Sequence, residues 1–114
     1  MDIRSPANQI KTLQFANTGA AVASKVPCVF NSLVFLPLHD ADQSDLAGYA
    51  YECELGDVPK AAGAIAPGDK IYWDDTAKNF TTSSSTTVLC GYALAAAGAG
   101  DATAPLIAFN SFAA

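Results

Sequence analysis

Few residues of this chain are equipped for chemistry, and their spacing breaks each pattern they begin. The single histidine, His39, stands beside Asp40, so any Ser-His-Asp reading must use that pair. No Gly-x-Ser-x-Gly elbow presents a nucleophile, and Ser83-Ser84-Ser85 reads as a flexible loop. A polar loop histidine is the plainer expectation. Asp40, Asp42 and Asp45 start like a calcium loop, but the required glycine is replaced by Asp45 and the closing glutamate by Tyr51. A solvated acidic loop is expected there. Cys28, Cys53 and Cys90 are odd in number and lack Cys-x-x-Cys spacing, which points to buried free thiols instead of zinc ligands or a disulfide framework. Gly68-Asp69-Lys70 lacks the remainder of a phosphate loop and opens a strand. Tyr72-Trp73 beside Asp74 and Asp75 has the makings of a sugar-stacking platform, with Tyr49 and Tyr51 as further candidates, although packing across a hairpin accounts for the same residues. Neighbouring strand carboxylates point to opposite faces and cannot flank one glycosidic bond. No catalytic residue, cofactor site or metal site is predicted.

Composition narrows the function classes further. A chain of 114 residues fits one domain with a modest core. Its 51% apolar content is more than so small a core obviously needs, even allowing for the alanines, so part of it is expected in a subunit interface. The net charge of −5, with Arg4, Lys11, Lys25, Lys60, Lys70 and Lys78 scattered along the chain, opposes phosphate-backbone binding, which relies on clustered cations. Nucleic acid is therefore an unexpected partner. Nothing in the sequence approaches the ~20 apolar residues of a membrane span, and the opening Met-Asp-Ile-Arg-Ser-Pro lacks a leader pattern. A soluble protein made in a cytoplasm, without a membrane partner, is expected.

The elements that must position these residues read as strands. Residues 1–17 form a polar arm punctuated by Pro6 and Asn8 and anchored by Ile10, Leu13 and Phe15. The alternation of Leu13 and Phe15 suits pairing with a sheet edge. Asn17-Thr18-Gly19 makes a turn, and residues 18–114 form the domain. Residues 21–38 hold two short strands broken at Asn31-Ser32, with Pro27 and Pro37 at their ends. Residues 48–55 alternate cleanly, placing Tyr49, Tyr51, Cys53 and Leu55 on one face and Ala50, Glu52 and Glu54 on the other, until Gly56-Asp57 ends the strand. Ala66-Pro67-Gly68-Asp69 is a type II turn signature. Lys70-Ile71-Tyr72-Trp73 leaves that turn as a strand and pairs through a hairpin with Asn79-Phe80-Thr81-Thr82. Strands at 88–95 and 104–109 complete the set. Turn signals roughly every 8 to 12 residues predict an all-β fold, a small antiparallel β-barrel or β-sandwich of short strands with an extended N-terminal arm.

The run from Ala62 through Pro67, Gly68, Asp69, Lys70, Ile71, Tyr72 and Trp73 to Asp75, followed by Gly91-Tyr92-Ala93-Leu94 and Ala95-Ala96-Ala97-Gly98, resembles a family of small bacteriophage capsid decoration, or cement, proteins. The similarity covers about residues 52–110. It implies a β-barrel-like homotrimer on the outer capsid surface of the virion, with the major capsid protein as partner and no catalytic residues. The sequence differs from the family pattern at Asn31-Ser32-Leu33-Val34-Phe35, where a glycine- and valine-rich opening would stand. Under this reading the N-terminal arm, through Ile3, Arg4, Ile10, Leu13 and Phe15, reaches the capsid, and repeated weak contacts on the shell add up by avidity. A carbohydrate-binding or host-attachment β module of a virion is the alternative.

Overall fold

The structure, a computed structural model, describes residues 2–4, 10–17 and 19–110. Among the sequence-based expectations, Pro6, Asn8 and Thr18 lie outside the described residues. The described chain is all-β and contains no helix. Its strands are β1 (Asp2–Ile3), β2 (Lys11–Ala16), β3 (Cys28–Phe30), β4 (Leu33–Pro37), β5 (Leu46–Pro59), β6 (Lys70–Asp74), β7 (Asn79–Thr81), β8 (Val88–Ala93) and β9 (Thr103–Asn110). All pairings between them are antiparallel. They form one sheet in the order β3-β4-β5-β9-β8-β6-β7, curled into a half-barrel, with β1 and β2 also paired to β5.

β5 is the spine of this arrangement, and it departs from the sequence reading in two ways. First, it does not end at Gly56-Asp57 but runs 14 residues to Pro59. Asp57 takes a left-handed φ of 50°, and the ladder to β9 resumes at Val58 opposite Ala104. Second, its two halves bury different faces. Thr12 pairs with Ala50 and Lys11 with Glu52, leaving Tyr51 as an extra residue. An inserted residue reverses which alternate positions face inward. Ala47, Tyr49 and Tyr51 therefore pack with Phe35, Phe15 and Phe30 in one cluster, whereas Ala50, Cys53, Leu55 and Val58 join the main core. The clean alternation over 48–55 conceals this switch.

The main core gathers Val34, Leu36, Ile71, Trp73, Phe80, Cys90, Ile107 and Phe109. The smaller cluster is aromatic: Phe15 stacks on Tyr49 at 4.3 Å between centroids and meets Phe30 edge-on at 5.3 Å. Such pairs contribute roughly 0.5–1.5 kcal/mol beyond burial. Asn31 and Ser32, at φ 52° and 65°, make the two-residue turn between β3 and β4, the primed geometry whose twist matches a hairpin.

Three further turns share one construction. Asp45 Oδ2 accepts from the Asp42 N–H at 3.0 Å, Asp69 Oδ2 from Ala66 at 2.9 Å, and Asp101 Oδ2 from Gly98 at 2.8 Å. In each, the aspartate N–H donates back to the carbonyl of the same residue. Each turn follows a buried bridge residue, Ala41, Ile65 or Ala97. The side chain thus closes the turn twice over and starts the next strand in a fixed direction.

Candidate functional site

The Pro67 turn and the hairpin after it carry the most distinctive residues. Gly68 sits at φ 91°, the position of a type II turn that favours glycine, and Pro67 and Gly68 are both exposed. Asp69 closes the turn. Beyond it, strand alternation sends Ile71 and Trp73 into the core and leaves Tyr72 half-buried on the other face. Trp73 is buried, its Nε1–H donates to Asp75 Oδ1 at 3.0 Å, and its ring meets Phe80 edge-on at 4.9 Å. Phe80 lies directly opposite in the ladder. The bond from Trp73, with added pull from Lys78, holds the Asp75 carboxyl below its ordinary range. Asp74 Oδ1 accepts from the Thr76 and Ala77 N–H groups and shapes the turn. Tyr49 is also fully buried. A stacking platform for sugars needs exposed rings, and neither Trp73 nor Tyr49 offers one.

The N-terminal residues lie along one side of β5. Ile3 pairs with Leu55, and the Arg4 N–H donates to the Glu54 carbonyl. Ile3 and Ile10 pack against the main core, Leu13 and Phe15 against the aromatic cluster. The Arg4 side chain crosses the backbone of Gly56, where a Cβ would collide with its guanidinium, and its Nη2 reaches Asp57 Oδ2 at 2.9 Å. Lys11 pairs with Glu52 at 3.4 Å. The apolar residues of this segment therefore serve the chain's own packing, while Arg4 stays exposed.

The groups singled out for chemistry have structural employment. His39 Nδ1 lies 3.1 Å from the Asp40 carbonyl, and Nε2 accepts from the Gly48 N–H at 3.3 Å. The Asp40 carboxylate accepts from the Ser24 N–H instead of meeting the imidazole. The three cysteines are free. Burial, helped by the charge of Asp75, pushes the Cys28 thiol up to about 12; burial, helped by Glu54, takes Cys53 to about 11, and burial alone raises Cys90. Thiols so shifted stay protonated at neutral pH and are poor nucleophiles and ligands. Among the described residues no cluster of three metal-ligating side chains occurs, and no helix is long and apolar enough to cross a membrane. The depressions are open grooves; one of about 480 Å³ is walled by Leu13, Phe15, Phe30, Leu33 and Phe35.

Sequence reasoning missed Lys60. Its side chain is buried, and Nζ donates to the carbonyls of Gly98 at 3.0 Å and Asp101 at 3.1 Å. The ammonium thereby pins the glycine-rich loop before β9. Position alone gives no signal of this, because nothing in the sequence marks one lysine among five as buried. The exposed apolar side chains were equally hidden: Leu46 is 66% exposed, with Leu94, Val26, Leu38 and Tyr92 also on the surface.

The distinctive residues of this curled antiparallel sheet thus stand on one exposed turn and the hairpin that follows it, around a tight core. The chain belongs to the phage cement protein family, whose model matches residues 7–107. It is accordingly a capsid decoration protein with a place on the phage virion. No curated protein and no solved structure matched the chain.

Proposed function

We propose that this protein binds the outer surface of the shell formed by the major capsid protein and fastens neighbouring subunits together, without catalysis. The family match over residues 7–107 carries this reading. The geometry supports it: two well-filled clusters and hydrogen-bonded turns suit a rigid fastener. The copies act as a homotrimer, as the resemblance to capsid decoration proteins implies. The N-terminal arm, residues 1–17, meets the shell; among its described residues Arg4 is exposed, and Ile3, Ile10, Leu13 and Phe15 pack against the two clusters. Neither nucleic acid nor membrane is a partner, and synthesis takes place in the cytoplasm of the host bacterium.

The direct test is cosedimentation of the purified protein with shells assembled from the major capsid protein alone. Saturable binding is expected. Binding only to shells carrying other virion proteins would reject the major capsid protein as partner.

A further inference from the structure

The outward face of the half-barrel carries a row of four side chains directly opposite one another on adjacent strands. Glu54 on β5 lies opposite Ala108 on β9, Ala108 opposite Tyr92 on β8, and Tyr92 opposite Lys70 on β6. Directly opposed residues share a face, and the core-facing partners Leu55, Ile107, Ala93 and Ile71 are buried on the other side. At about 4.8 Å per strand the row spans roughly 14 Å. One end is acidic, the other basic, with an aromatic ring and a methyl between them. A second, apolar pair runs beside it: Leu106 follows two residues before Ala108, and its carbonyl accepts from the N–H of Leu94, which is exposed. Beside Tyr92 the surface sinks into a depression of about 240 Å³ over Ala108, bordered by Glu52, Glu54 and Asn110.

We infer that this face binds a second copy of the same chain about a twofold axis parallel to the strands. Such an axis reverses the row. Glu54 then meets Lys70 of the other copy, Leu106 meets Leu94, and the Tyr92 ring settles into the depression over Ala108. Every contact occurs twice, as a twofold interface requires. The order acid, small, aromatic, base is self-complementary under that operation. It would be mismatched had the two charged ends carried one sign. The patch is smaller than the ~800 Å² per partner of a standard interface. Pairing is therefore weak in dilute solution and becomes effective where copies are concentrated on a common surface. It uses a different symmetry from the threefold assembly and does not depend on it.

Sedimentation equilibrium across a wide concentration range tests the pairing. The unaltered protein is expected to reach two copies, or six where trimers also form. Lys70→Glu places like charges at both ends and weakens pairing by about tenfold or more, and adding Glu54→Lys in the same chain restores it. Leu94→Asp, at an exposed position just beyond the end of β8, weakens pairing independently and guards against a folding defect in the strand variants. A wild-type mass fixed at one or three copies at every concentration would overturn the inference, as would equal association by the Lys70→Glu and doubly swapped chains. Neither result would touch the capsid-binding reading, which the shell assay decides separately.

Discussion

Two glycines show how the same substitution has opposite consequences depending on what faces the missing Cβ. At Gly91 a Cβ would stand 1.9 Å from the Ala108 carbonyl oxygen, a backbone atom held in the β8–β9 ladder. Gly91→Ala is expected to destabilise the fold by roughly 3 kcal/mol or more, in the range of severe core lesions. At Gly56 the obstacle is the far end of the Arg4 side chain, which can swing away at the cost of an exposed ion pair of about 0–1 kcal/mol. Reduced freedom of the unfolded chain offsets that by roughly 0.4–1 kcal/mol, so Gly56→Ala should leave the denaturation midpoint nearly unchanged. Urea denaturation of the two variants checks the contrast. The thiols give a second residue-scale prediction. Burial raises Cys53 to about 11 and Cys28 to about 12, so the folded state keeps protons that the unfolded chain releases above the ordinary thiol value of about 8.5. Stability from these groups is complete below that pH and falls progressively as pH rises toward 11 and 12. Denaturation midpoints measured from neutral to strongly alkaline pH should show the decline, and Cys53→Ala should make it shallower.

At the scale of elements, the N-terminal strand is part of the folded body. Phe15 on β2 touches Phe30, Phe35 and Tyr49, so Phe15→Ala is expected to cost roughly 2–4 kcal/mol and to speed hydrogen exchange along Lys11–Ala16. Unchanged exchange there would mean that the aromatic cluster does not hold the segment. Much of this layer was legible beforehand. The strands at 70–74, 79–81 and 103–110, the Asn31-Ser32 break and the Pro67-Gly68 turn follow from alternation and from residues with fixed φ preferences. Local rules also foresaw aromatic packing across this hairpin, which the structure makes between Trp73 and Phe80. They could not foresee the inserted residue at Tyr51, because its cause is the partner strand: the register of β2 decides where β5 changes face. The same holds for Asp57, whose left-handed φ interrupts a strand without ending it, and for Lys60, whose acceptors lie 38 and 41 residues away.

For the whole molecule, what matters is where the surface features fall. Leu46, Leu94, Val26, Leu38 and Tyr92 present apolar surface to solvent, whereas Trp73 and Tyr49 are buried. A folded scaffold displaying scattered apolar and charged groups is what the proposed fastening of a shell demands. Individually weak contacts of this kind become strong when many copies act on one particle, and any ligand that binds only the intact shell stabilises it by mass action. The most direct test compares the thermal disruption of capsids stripped of this protein with that of the same capsids after it is added back. The account predicts a higher disruption temperature that rises with occupancy and saturates; identical disruption curves at full occupancy would contradict it.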